Sequence, residues 1–159
     1  MTVALGVRLG PVSPVHRGDL ASVIRSTGVF NEDEVGVALE LFDDSSGDYE
    51  FIGAFDGDRL IGYACFGPTP ATDRTYDLYW IAVHRDAQRS GAGSVLISEV
   101  EHRLHARRAR LVVVETSSRA DYEPTRAFYR KRGYRQSATV PHYYSHGDHR
   151  VIYTKSLPP

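Results

Sequence analysis

This sequence has one cysteine, one methionine and one tryptophan in 159 residues. The lone Cys65 has no partner for an internal disulfide, which argues against a disulfide-stapled scaffold. It sits in the apolar run IGYACFG and reads as a small buried hydrophobe. No apolar run approaches the ~20 residues of a membrane-crossing helix, so no membrane partner is expected. Neither charge is in excess, since nineteen Lys and Arg face twenty Asp and Glu for a net charge of -1. That removes the broad positive surface by which proteins hold nucleic acid. The opening MTVALGVRLG lacks a basic start and a long apolar core, so no secretion signal is expected and the expected location is the cytoplasm. Repeats, low-complexity runs and linker-like stretches are also missing. Residues 1–159 are therefore expected to form a single domain.

What is present is punctuation for an α/β fold. VRLG at 7–10 reads as a first strand. Ser13 is an N-cap candidate with Pro14 at the first helical position, and Leu20, Val23, Ile24 and Thr27 share a face before Gly28. Asn31 and Glu34 have the spacing of a capping box, with Phe30 and Val35 as its hydrophobic staple. YEFIGAF and RLIGYACFG flank Asp56-Gly57-Asp58, a hairpin signal. TYDLYWIAV and LVVVET are apolar enough for central strands. Between them a helix from GAGS buries Leu96, Ile97, Val100 and Leu104. YEPTRAFYRKRG reads as a helix closed by Gly133, and YRQSATV and RVIYTKSL as the last strands. The order β-α-α-β-β-β-α-β-α-β-β predicts a mixed, mostly antiparallel twisted central sheet flanked by helices.

The turn QRSGAGS, Gln88 to Ser94, joins a strand to a helix. Small residues there let backbone N–H groups approach an anion at the positive end of a helix dipole. A phosphate-binding P-loop would need Lys after the last glycine, and a dinucleotide turn would need a third glycine where Leu96 stands. Around this turn, IAVHRDAQRSGAGSVLI is similar to the signature of the GCN5-related N-acetyltransferases, a Gln/Arg-x-x-Gly-x-Gly/Ala motif after a strand. Gln88, Gly91 and Gly93 fill its fixed places. TRAFYRKRGY resembles the family's second signature through Phe128, Tyr129, Gly133 and Tyr134. The resemblance spans essentially the whole chain in element order. It implies a sheet that splays between the WIAV and VVVET strands and holds acetyl-CoA in the gap, with no metal.

The resemblance also implies roles. The amides of Arg89, Ser90, Gly91, Ala92, Gly93 and Ser94, with Gln88, would cradle the pyrophosphate. The strand edge at Ile81, Ala82 and Val83 would pair with the pantetheine arm. An N–H of Ala82 or Val83 would serve the carbonyl oxygen. Arg85, Arg89, Lys131 and Arg132 are candidates for the 3′-phosphate. Tyr129 falls at the leaving-group acid, where a phenol near pKa ~10 suits a thiolate of similar basicity. Asp77 aligns with the base of the histone-type members, and Glu115 with a glutamate of the peptide acetyltransferases. Strict alternation would put Asp77 on one face with Tyr79, Ile81 and Val83. Tyr122 stands where the family often has Asn, and Thr125 where it has Ala, so their hydroxyls are candidates for a cofactor contact.

The expected activity is acetyl transfer from acetyl-CoA to a primary amine of a small molecule or peptide, by direct attack in a ternary complex. Small amines, amino acids, aminoglycosides and peptide N-termini all remain open as acceptors, and so does a homodimer. The rival readings are a coenzyme A-binding regulator without catalysis and a dinucleotide-binding redox protein. His142, His146, Asp148 and His149 crowd the stretch HYYSHGDH. Their spacing matches no closed metal site, so a solvated loop is expected there, with Tyr143 and Tyr144 beside the acceptor entrance.

Overall fold

A computed structural model of the chain describes residues 6–159; the opening residues Met1–Leu5, and the reading made of them, lie outside the described residues. The strands are β1 (Val7–Gly10), β2 (Glu50–Asp56), β3 (Arg59–Pro68), β4 (Thr75–Val83), β5 (Leu111–Ser117), β6 (Arg135–Ser145) and β7 (Asp148–Ser156). The helices are α1 (Arg17–Ser26), α2 (Glu32–Asp43), α3 (Ala92–Ala106) and α4 (Glu123–Lys131). The strands hydrogen-bond in the order β1-β2-β3-β4-β5-β7-β6. β4 and β5 pair in parallel, as a helical crossover through α3 requires. No described helix is long and apolar enough to cross a membrane. The chain divides into two compact units, Met1–Gly67 with Tyr79–Leu104, and Pro68–Leu78 with His105–Pro159.

In the first unit the local signals act as read. The Asn31 side chain accepts from the Glu34 N–H at 2.8 Å, and the Glu34 carboxylate accepts from the Asn31 N–H at 3.2 Å. The expected first helix begins as a short 3-10 turn, Pro14–His16, because the His16 ring accepts the Ser13 N–H at 3.0 Å. Leu20, Val23 and Ile24 of α1 and Val35 and Ala38 of α2 bury against Phe55, Leu60, Tyr63, Cys65 and Ala82. All four expected α3 residues are buried. Tyr79 and its chain neighbour Trp80 both pack against the α1–α2 cluster, as does Ala82. Strict alternation forbids that for adjacent residues, so the face expected for Asp77, Tyr79, Ile81 and Val83 is interrupted at Tyr79–Trp80.

In the second unit β4 pairs with β5 from Thr75–Leu111 to Leu78–Val114, and the ladder ends there. Tyr153 of β7 is opposite Val114 and meets the Tyr129 ring of α4 at 6.4 Å. Helix α4 therefore covers the face of Leu78, Val112 and Val114, all buried. The stretch expected as a solvated loop is exposed but forms the irregular end of a hairpin. β6 runs on through Tyr143 and Tyr144 to Ser145, which pairs with Asp148. Gly147 at φ +85 makes the tight turn, and its N–H donates to the His142 ring at 2.9 Å.

Burial sets an alkaline limit on stability. It raises the Tyr63 and Tyr129 phenols above their ordinary values and pushes the Cys65 thiol up to about 12. A raised native pKa means full stabilisation below the unfolded value and loss as pH climbs toward the folded one. The urea midpoint should be flat at neutral pH and fall from about pH 9. In Cys65→Ala the slope above pH 9 should shrink by roughly 1.4 kcal/mol per pH unit. An unchanged slope would place the thiol in a wetter setting.

Candidate active site

The glycine turn Gln88–Ser94 lies wholly in the first unit. Gly91 has φ +84, a left-handed backbone that disfavours side chains, and a Cβ built there would meet nothing within 4 Å. The space above Gly91 is therefore open to a ligand. The Val95 N–H donates to the Gly91 carbonyl at 3.1 Å, so the amides of Ala92, Gly93 and Ser94 precede that first helical bond of α3. The Ser90 hydroxyl accepts from the Ala92 N–H at 3.2 Å and fixes the turn. Gln88 reaches back to the Val83 carbonyl at 3.5 Å, and the Ser26 hydroxyl accepts the Arg85 N–H at 3.0 Å. Gln88, Arg89 and Ser94 are exposed, Ser90 and Gly93 half-buried and Ala92 buried. On β4, Ala82 is buried while Ile81 and Val83 are half-buried.

The acid and base candidates lie in the second unit. Asp77 is half-buried opposite Val113, and its carboxylate accepts from the Thr69 hydroxyl at 2.8 Å. Glu115 is two residues beyond Val113 on β5, so alternation gives both carboxylates the face opposite α4. Their surroundings differ. Glu115 is held in an ion pair by Arg150, one residue past Val151 on the neighbouring strand, and the Arg150 guanidinium also lies 4.9 Å from the Tyr143 ring centre. A carboxylate committed to arginine has fewer lone pairs for an incoming proton.

Tyr129 is 3 % exposed, and the rings of Phe128 at 5.4 Å and Tyr134 at 5.5 Å join Tyr153 around it. Burial raises its phenol above the ordinary value; Tyr122 adds to this and Arg132 opposes it. The hydroxyl thus stays protonated at neutral pH. Full transfer to a thiolate of ordinary basicity, near ~8.5, would be uphill from such a phenol, so the match of basicities expected from sequence does not hold. Thr125 is half-buried in the first turn of α4, and Tyr122 caps that helix with its ring 5.1 Å from the Arg119 guanidinium. Arg132 donates to the Phe128 carbonyl at 2.9 Å and lies over the Phe128 ring at 3.6 Å, which ties it to the end of α4.

The sequence profile of the acetyltransferase (GNAT) family matches residues 21–134. The chain belongs to this family. No curated protein sequence matches this acetyltransferase. A crystal structure of a GNAT-family protein from Desulfovibrio desulfuricans is 40% identical, superposes with a TM-score of 0.91, and is matched over 96% of this chain and 99% of its own. Ard1 from Thermoplasma volcanium shares the fold at 19% identity and a TM-score of 0.78, over 98% of this chain and 100% of its own. The PaiA N-acetyltransferase from Thermoplasma acidophilum, crystallised with coenzyme A, does so at 17% and 0.76, over 96% of this chain and 100% of its own.

Several supporting residues of the acetyltransferase escaped sequence reading. The Arg126 guanidinium donates to the carbonyls of Ser117 and Arg119 and to Glu123, clamping the approach to α4. Ser117 donates to the buried Asp148 at 2.5 Å, and the Ser118 hydroxyl accepts the His149 N–H at 2.8 Å. These pairs are 31 residues apart in sequence, and nothing in composition or spacing marks them. Among the described residues no group of His, Cys, Asp and Glu could hold a metal ion.

Proposed function

We propose that this acetyltransferase is a single domain, residues 1–159, that moves the acetyl group of acetyl-CoA to the nitrogen of a primary amine while both substrates are bound. The observation that carries this reading is the Gly91 turn, whose left-handed backbone and open Cβ direction suit close approach of a pyrophosphate. Acetyl-CoA supplies an activated thioester, and the chain supplies orientation and proton handling. The amides around Gly91 and Gly93 hold the phosphates, and Ile81 to Val83 align the amide-rich arm. An Ala82 or Val83 N–H donates to the carbonyl oxygen as charge grows there. The amine nitrogen bonds to the carbonyl carbon, the carbon–sulfur bond breaks, and the amine proton leaves toward Asp77 or a water it orients. Tyr129 donates its hydrogen bond to the departing sulfur. Acid and base candidates on opposite faces of the β5 region suit a displacement that loses a proton on one side and stabilises a leaving group on the other.

Thiol release from acetyl-CoA across an amine panel, with mass spectrometry of the N-acetyl product, tests the reading. Coenzyme A binding without turnover on any amine would favour the regulator. The bases are separated by amide variants that keep shape. Asp77→Asn should lower kcat by about 10–100-fold. Glu115→Gln should change it by less than about threefold but lower the melting temperature, because Arg150 loses its partner. The opposite ranking would give Glu115 the role. Small, equal losses would mean that water alone takes the proton, and the double variant checks for coupling.

A further inference from the structure

Asp77 and Glu115 share a sheet face, but different chemistry holds them. Glu115 is committed to Arg150. Among the described residues the Asp77 carboxylate has a single hydrogen-bond partner, the Thr69 hydroxyl, which donates to Oδ2 at 2.8 Å. An ionised carboxylate offers about four lone pairs. Thr69 takes one of them, so Oδ1 keeps both of its own. A guanidinium brings a full positive charge that holds a carboxylate ionised, whereas a hydroxyl orients it without that charge. Thr69 and Asp77 are both half-buried, so the bond between them is partly shielded from competing water.

The donor is placed by its own loop, not by the carboxylate. Thr69 stands between Pro68 and Pro70. Pro68 has a fixed backbone angle, and a residue before proline is restricted to extended backbone. The Thr69 N–H donates to the Thr75 carbonyl at 2.8 Å, the Thr72 hydroxyl to the Thr69 carbonyl at 2.8 Å, and the Thr75 N–H to the Thr72 hydroxyl at 3.2 Å. Between them the loop turns through two non-glycine residues in left-handed backbone, Ala71 at φ +59 and Arg74 at φ +57. Such residues are uncommon and persist only where their surroundings hold them. Arg110, just before β5, does so here. Its N–H donates to the Arg74 carbonyl at 2.9 Å and its guanidinium to the Asp73 carbonyl at 3.1 Å. A pinned loop thus presents one hydroxyl to the carboxylate of Asp77.

Resting on the reading that Asp77 takes the amine proton, we propose that Thr69 is a positioning residue for acetyl transfer. Its hydroxyl holds Oδ2 and leaves Oδ1 for the amine proton or for a water that relays it. As the nitrogen bonds to the carbonyl carbon and the carbon–sulfur bond breaks, the proton passes from nitrogen to Oδ1, and Thr69 keeps its own hydrogen throughout. Because the donor sits on a pinned loop, the carboxylate is already ordered when the amine arrives, and a group ordered in advance costs nothing to align during the reaction.

Full-length variants are assayed with acetyl-CoA and the amine of the panel that turns over fastest. Thr69→Val keeps the shape and removes the donor. It should lower kcat by about tenfold, with coenzyme A affinity by calorimetry within about twofold of wild type. The limb of the pH–rate profile that rises with pH should move to higher pH, because the ionised carboxylate loses a donor that favours it. Thr69→Ser keeps the hydroxyl and should restore both. In an Asp77→Asn background Thr69→Val should cost less than about twofold more. Thr69→Ala gives the same readings if valine disturbs the loop. A full loss in Asp77→Asn, with kcat and limb unmoved in Thr69→Val, would overturn the inference and leave Asp77 as the base. So would a loss that serine does not restore, or one of equal size in the Asp77→Asn background, since the hydroxyl would then act only through the loop. Wild-type kcat and limb in Asp77→Asn would sink the base reading itself, before any Thr69 variant is made.

Discussion

Gly91→Val is expected to leave a folded protein that no longer binds coenzyme A. The glycine sits at φ +84 with open space where a Cβ would go. The Cβ of a valine there meets no protein atom within 4 Å, so the fold suffers mainly the left-handed backbone penalty, about 1–2 kcal/mol or somewhat more for a branched side chain. The same side chain fills the space that a phosphate needs to reach the amides of α3. Losing two charge-assisted hydrogen bonds weakens binding by about a hundredfold or more. Gly93→Val is the companion variant. Gly93 lies inside α3 and has no left-handed requirement, so it separates ligand blockage from backbone strain. Calorimetry that finds unchanged coenzyme A affinity in both variants would remove the cradle.

Tyr129→Phe is expected to cut kcat by about 10–100-fold, the worth of one hydrogen bond to a charged sulfur, with coenzyme A affinity nearly intact. The ring should stay in place, because Phe128, Tyr134 and Tyr153 pack against it irrespective of the hydroxyl. Stability should change little for the same reason. A raised phenol stays protonated throughout the working pH range, so no limb of the pH–rate profile should belong to Tyr129, and the wild-type limbs should persist in the variant. A loss under threefold would mean that the residue only packs α4 on the sheet. A limb that vanishes with the hydroxyl would mean that the phenol titrates during turnover.

The sequence by itself determined the elements and their order. Asn31 with Glu34, Asp56-Gly57-Asp58, and Gly28 and Gly133 past helix ends are signals between near neighbours, and backbone geometry obeys them locally. The turn at Gly91 was legible for the same reason, since left-handed backbone and a helix start are written within seven residues, Gln88 to Ser94. Only the tertiary structure decided how the candidate carboxylates are employed. Asp77 meets a threonine across a hairpin and Glu115 an arginine 35 residues away, and strand register, not local pattern, selects such partners. Strict alternation failed at Tyr79–Trp80 because the α1–α2 layer takes both rings. The expected loop at HYYSHGDH became the end of a hairpin, irregular after Val140 and paired again at Ser145–Asp148, because Gly147 and the His142 ring together close a tight turn. The Tyr63 hydroxyl and the Trp80 indole nitrogen, both buried without a hydrogen-bond partner, were the least legible of all. In sequence they are ordinary core aromatics, and a missing hydrogen-bond partner exists only once every neighbour has been placed.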